Sequence, residues 1–186
     1  MRYLRYLLYV IEHKWNVFKV AVSKGMFIHA ILHDMSKLSG GEFTQYANYF
    51  FKENPTEQDK QAFERAWRHH YFNNKHHWQY WTSRDEEDVP IDIPSKYIRQ
   101  MVVDWTAMGI KFGDTAQEYY LDNYNEIELT EKTRYKLEWY LELNETLYKS
   151  LKEFYKSVHR DVFFRENGWI EDKYDVDLDS ILKEDD

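Results

Sequence analysis

Eight histidines occur in this 186-residue chain, and seven of them fall between positions 13 and 77. They come as His13, His29, His33 beside Asp34, the pair His69-His70 and the pair His76-His77, with His159 apart. A single histidine on a helix is ordinarily a solvated or hydrogen-bonded residue. His33-Asp34, however, lies in the nearly continuous apolar run Met26 to Leu38. Burying an unpaired charge there costs several kcal/mol, or shifts its pKa until it neutralises. Neutral imidazole and carboxylate are ordinary ligands of zinc, iron and manganese, so one divalent cation would satisfy both side chains together.

Spacing offers two geometries. His29 and His33 are four apart on one helical face, as in the zinc-binding helix of many metalloproteases, but no Glu follows His29 and that motif fails. The alternative takes the adjacent His33-Asp34 and collects further ligands from separate helices. The absence of cysteine excludes a thiolate nucleophile, a disulfide framework and any Cys-ligated zinc site.

The second geometry resembles the signature of the HD-domain superfamily of metal-dependent phosphohydrolases: a His on a first helix, an adjacent His-Asp on the next, and an Asp on a later one. Here these are His13 in Ile11-Glu12-His13-Lys14, His33-Asp34 in Leu32-His33-Asp34-Met35-Ser36-Lys37, and Asp104 in Met101-Val102-Val103-Asp104-Trp105. Two-metal members add two intervening histidines, for which His70 and one of His76 or His77 are available, with His77 carried forward. More narrowly, Ala66-Trp67-Arg68-His69-His70, Asn74-Lys75-His76-His77-Trp78-Gln79-Tyr80-Trp81, Asp104-Trp105-Thr106-Ala107-Met108-Gly109 and Tyr119-Tyr120 are similar to an uncharacterised HD-like family common in bacteriophage genomes. That resemblance runs from about residue 10 to about residue 140. The Gly-Tyr-Pro motif of cyclic-dinucleotide phosphodiesterases is absent.

The resemblance implies an HD-like helical bundle holding one or two divalent transition-metal ions (Mn, Co, Zn or Fe). It implies His13, His33, Asp34 and Asp104 as ligands, with His70 and His77 for a second ion. The implied reaction is hydrolysis of a nucleotide or related small phosphoester by metal-activated water. Asp34 and Lys37 are the candidate catalytic residues, Lys37 lying one turn from the pair, where it can meet a phosphate or hold Asp34. Arg68, Asn74 and Lys75 are candidate substrate contacts, against a solvated role for the two cations and turn capping for Asn74. Of the flanking Trp67, Trp78, Tyr80, Trp81 and Trp105, most belong in a core, while an exposed ring would stack on a nucleobase. The same ligands also serve a di-iron oxygenase chemistry in the superfamily. A third reading, from a different class, is a non-enzymatic helical binding module with a structural metal.

The elements that must position these residues read as all-α. Six glycines and three prolines give too little punctuation for a many-stranded β protein. Apolar positions predict helices over about 3–24 (Leu4, Leu7, Leu8, Ile11, Trp15, Phe18 and Val22 making one face), 26–38, 42–52, 56–72 with Thr56 as its cap, 95–108, a stretch opened by Thr115, and 131–158 capped by Thr130. The second is apolar nearly all round and expected to be buried. On the third, Phe43, Tyr46, Ala47 and Phe50 are expected inward. Gly109–Gly113 reads as a turn and Thr82–Pro94 as a surface loop.

One helical domain over 1–168 and an acidic tail over 169–186 are expected. Residues 171–186 alone hold eight acidic residues against two Lys, most of the net charge of −8. That balance argues against general nucleic-acid binding, which needs positive charge to release counterions. Asp175, Asp177 and Asp179 alternate as in a calcium loop, but Ser180 stands where Gly is needed. The apolar run Leu7 to Ile11 is too short for a signal core or a membrane span. A cytoplasmic protein acting on a phosphorylated small molecule is the expectation.

Overall fold

In the computed structural model, residues 1–82 and 89–143 are described. Among them the architecture is all-α, with seven α-helices: α1 (Arg2–Ser23), α2 (Phe27–Leu32), α3 (Gly40–Phe51), α4 (Glu57–Asn73), α5 (Ser95–Phe112), α6 (Ala116–Asp122) and α7 (Glu131–Tyr140). Short 3-10 turns span Met35–Leu38 and Trp78–Trp81. Thr82 and Pro90 make an isolated antiparallel bridge, and no strand occurs among the described residues. Residues 83–88 of the expected loop, residues 144–158 of the expected last helix, His159 and the acidic tail lie outside the described residues.

Local chemistry explains most helix ends. Thr56 and Asp59 form a reciprocal capping box at the start of α4, Thr115 and Glu118 another at α6, and Thr130 caps α7. α5 runs four residues past its expected end, because Gly109 is a packing residue rather than a turn: a Cβ there would collide with the Asp114 carbonyl. The stop is Gly113, whose left-handed φ of 84° suits a residue without Cβ. α7 ends at Tyr140, and Glu142 is left-handed at φ 59°.

Three apolar clusters fill the interior. Tyr6 and Val10 of α1 meet Tyr46, Ala47 and Ala66 from α3 and α4. Val17 and Ala21 meet Ala30 of α2 and Val103 and Ala107 of α5. Ile98, Met101 and Trp105 of α5 pack with Tyr120 and Leu137 of α6 and α7. The small residues at the α1–α2–α5 contact let the backbones approach, so the segment carrying His33-Asp34 lies close to both long helices.

Three expectations about faces are corrected. α1 turns inward through Tyr6, Val10, His13, Val17 and Ala21, while the apolar stripe of Leu4, Leu8, Ile11, Trp15 and Phe18 is exposed. Both stripes have helical period, and period alone does not say which one meets the core. The second helix is neither long nor buried. It stops at Leu32, only Ala30 of its residues is buried, and Phe27, Ile28, Ile31 and Leu32 face outward. Phe50 likewise lies 56% exposed instead of inward.

Candidate metal centre

The break after α2 makes the centre possible. Adjacent residues on a helix point about 100° apart and do not share a target. His33 leaves the helix at ψ 128° and Asp34 adopts the left-handed region at φ 53°, which turns both side chains to one point. Lys14 of α1 secures this turn, its Nζ 2.6 Å from the His33 carbonyl oxygen.

His13 and Asp104 arrive from the inward faces of α1 and α5. His13 Nε2 lies 3.1 Å from His33 Nε2 and 3.1 Å from Asp104 Oδ1, and His33 Nε2 lies 3.3 Å from that oxygen. On the other side, His70 at the end of α4 and the His76-His77 turn form a second group. Asp34 Oδ1 lies 3.4 Å from His70 Nε2 and 3.3 Å from His76 Nε2, and His77 Nε2 is 2.9 Å from His70 Nε2. Asp34 Oδ2 faces the first group, 3.3 Å from His33 Nε2. One carboxylate thus stands between two ligand sets: His13, His33 and Asp104, and Asp34, His70, His76 and His77.

These residues fit metal ions. Atoms about 2.0–2.2 Å from a common ion stand about 3.0–3.5 Å from one another, the spacing found in both sets. His13, His33, Asp34 and His70 are buried almost completely, yet Asp34 Oδ1, Asp104 Oδ1 and His76 Nε2 have no hydrogen-bond partner. Buried polar atoms without partners call for a bound group to satisfy them. Both sets could hold a metal ion.

Electrostatics run the same way. Burial pushes the Asp34 carboxyl up, but His33, Lys37 and His70 hold it well below the carboxylate range. Asp104 is held down by His33 and His13 against the same burial. Burial lowers His76, and burial with His76 and His70 lowers His77, keeping both imidazoles neutral as ligands must be. His33 goes the other way: despite burial, Asp34 and Asp104 raise it to about 9, so its proton serves as countercharge where an ion would. Lys37, its Nζ 2.5 Å from Asp34 Oδ2, is held protonated by Asp34 and Asp104 against burial.

The family described as "Family of unknown function (DUF5662)" matches residues 2–158. The chain belongs to this family. No curated protein and no solved structure matches it.

In this DUF5662 chain, all six ligands named from sequence lie in the cluster, together with His76. Two further residues lie against it: Glu42, which the sequence reading passed over, and His29, which it set aside with the failed metalloprotease motif. Glu42, fully buried, accepts from Ser36 Oγ at 3.0 Å and binds His70 Nδ1 at 2.9 Å and His69 Nδ1 at 2.8 Å. With Nδ1 donating to Glu42, the His70 Nε2 lone pair is left for an ion. His29 packs its ring against His33 and His76, and burial followed by those two neighbours lowers it to about 3.

The proposed substrate contacts are placed differently from one another. Arg68 is exposed, its guanidinium over the Phe72 ring, and Lys75 is exposed, its ammonium over Tyr80 and Tyr97. Asn74 caps α4, with Nδ2 donating to the His70 carbonyl at 2.8 Å and reaching Ser36 Oγ at 3.0 Å. Trp105 is buried, Trp78 and Trp81 are half-buried against the α5–α7 core, and Trp67 stacks on His70.

Proposed function

We propose that this DUF5662 chain is an HD-type metal-dependent phosphohydrolase that cleaves a nucleotide or related small phosphoester. The observation that carries the reading is the Asp34 carboxylate set between two groups of His and Asp side chains with the Lys37 ammonium against it. His13, His33, Asp34 and Asp104 would hold one ion, and Asp34, His70, His76 and His77 a second. Bound there, divalent ions supply Lewis acidity and lower the pKa of water toward neutrality.

The chain's own groups supply the rest. Lys37 fixes the orientation of Asp34 and gives the centre a positive charge that a phosphoryl oxygen can share as charge develops. Glu42 holds His70 in one tautomer. Net hydrolysis adds water across the phosphorus–oxygen ester bond, releasing phosphate and the alcohol. Lys37 is half-buried, so its ammonium can reach an incoming phosphate as well as Asp34, a use that a structural metal alone does not require. The lack of cysteine suits the reducing cytoplasm, where we place the protein. No described helix is long and apolar enough to cross a membrane.

The test is elemental analysis of protein purified without chelator, beside His33→Ala and Asp34→Asn. Asn is chosen because it tolerates the left-handed backbone at this position. About one or two equivalents of transition metal, absent from both variants while helicity persists, is the expected result. The metal-loaded protein then hydrolyses a panel of nucleotides and p-nitrophenyl phosphate, and Lys37→Ala keeps the metal but loses on the order of 100-fold in rate. A chain that takes up no metal under any reconstitution overturns the reading. Iron uptake with oxygen consumption and no phosphate release replaces it with an oxygenase.

A further inference from the structure

Leu4, Leu8, Ile11, Trp15 and Phe18 recur along α1 at intervals of four and three, the 3.5-residue repeat of a helix packed lengthwise on another helix. All are exposed, Leu4 to 60% and Trp15 to 59%, and Trp15 stacks on Phe18 with ring centroids 5.6 Å apart. Beside them, α2 and the turn after it expose Ile28 (77%), Ile31, Leu32 and Met35. Lys14 joins the two surfaces. Its Nζ lies 3.4 Å from the Ile31 carbonyl oxygen and 3.4 Å from Met35 Sδ, so its charge is turned onto the α2 segment and its stem lies between the apolar sets.

At about 100 Å² each, these side chains amount to roughly 900 Å², more than the roughly 300–600 Å² patch of a typical monomer. That area is close to the roughly 800 Å² per partner of a standard interface. Exposed Arg5, Glu12 and Lys19 border the stripe on its other side, giving an apolar centre with a polar rim.

We infer that this face is the interface of a two-fold homodimer, α1 of one copy lying along α1 of the other with the α2 segments at the flanks. A two-fold interface uses one patch twice and must complement itself. An uncharged seam of Leu, Ile and aromatic side chains meets that condition. A heptad seam further calls for a straight helix of similar length, which α1 of a second copy supplies. His13 points to the opposite side of α1, so the interface stands independently of the metal reading.

Light scattering of the full chain at micromolar concentration tests this. The expected mass is twice the 23.0 kDa of one chain, falling to 23.0 kDa in Ile11→Glu and in Trp15→Glu with unchanged helicity. Because the chain has no cysteine, Ile11→Cys can form a disulfide only between copies. It is expected to cross-link under mild oxidation while Glu57→Cys, on exposed α4 surface, does not; if the Glu variants fail to fold, this pair decides alone. A mass of 23.0 kDa at every concentration overturns the dimer. That result would point to the chain's own Leu147, Leu151, Phe154 and Val158, which repeat the same spacing, as the cover of this face. A dimer that persists in both Glu variants overturns it as well.

Discussion

Both oxygens of Glu42 are taken up by His69, His70 and Ser36, and none is left for an ion. Its role is therefore to aim His70, and Glu42→Gln is expected to weaken metal binding by about 10–100-fold without loss of helicity. Competition with a chromophoric chelator measures this, and an unchanged affinity would reduce Glu42 to a filler beneath α4. The histidines were conspicuous in the sequence because imidazoles crowd an apolar stretch where nothing else would satisfy them. Glu42 was not, since a Glu after Ser39-Gly40-Gly41 reads as a first-turn residue facing the helix dipole. His76 and His77 look like alternatives for a similar reason: neighbouring side chains diverge on any regular element. Only the turn between α4 and the Trp78–Trp81 segment lets both point inward, and turns of that kind leave no periodic signature.

α4 isolates the contribution of a cap from that of the site. Its capping box at Thr56 and Asp59 lies at the far end from His70, so Thr56→Ala should cost about 1 kcal/mol in urea denaturation and leave metal content unchanged. Lys52, then the Thr56 backbone and hydroxyl, hold Asp59 below its ordinary range. The cap's contribution is thus complete above the pKa of the unfolded carboxyl and fades as pH falls toward the folded one. Thr56, Thr115 and Thr130 were legible as starts because a hydroxyl before an acidic first turn has few other uses. The break at His33-Asp34 was not legible, because nothing in Ile31-Leu32-His33-Asp34-Met35-Ser36 disfavours continuing the helix. The demand that both side chains reach one centre sets the break, and that demand is tertiary. Gly109 misled in the opposite direction, as a glycine chosen for close contact looks the same in sequence as one chosen for a turn.

For the whole molecule, an ion that binds only the folded chain stabilises it by mass action, about 2.7 kcal/mol at a hundredfold excess over Kd. Chelation of metal-loaded protein is therefore expected to lower Tm by roughly 5–10 °C for a chain of this size, read by differential scanning fluorimetry. His33→Ala should show no such drop, because it has no ion to lose. Asp104 gives this effect a direction. Of the seven candidate ligands it alone comes from beyond residue 82, on the helix that carries the α5–α7 core. An ion held between Asp104 and the His13, His33 pair works as a removable staple across the chain, closing a long loop in the way a disulfide would. Hydrogen exchange along α5 would then become a gauge of metal supply: tightly closed when ions are plentiful, opening when they are withdrawn.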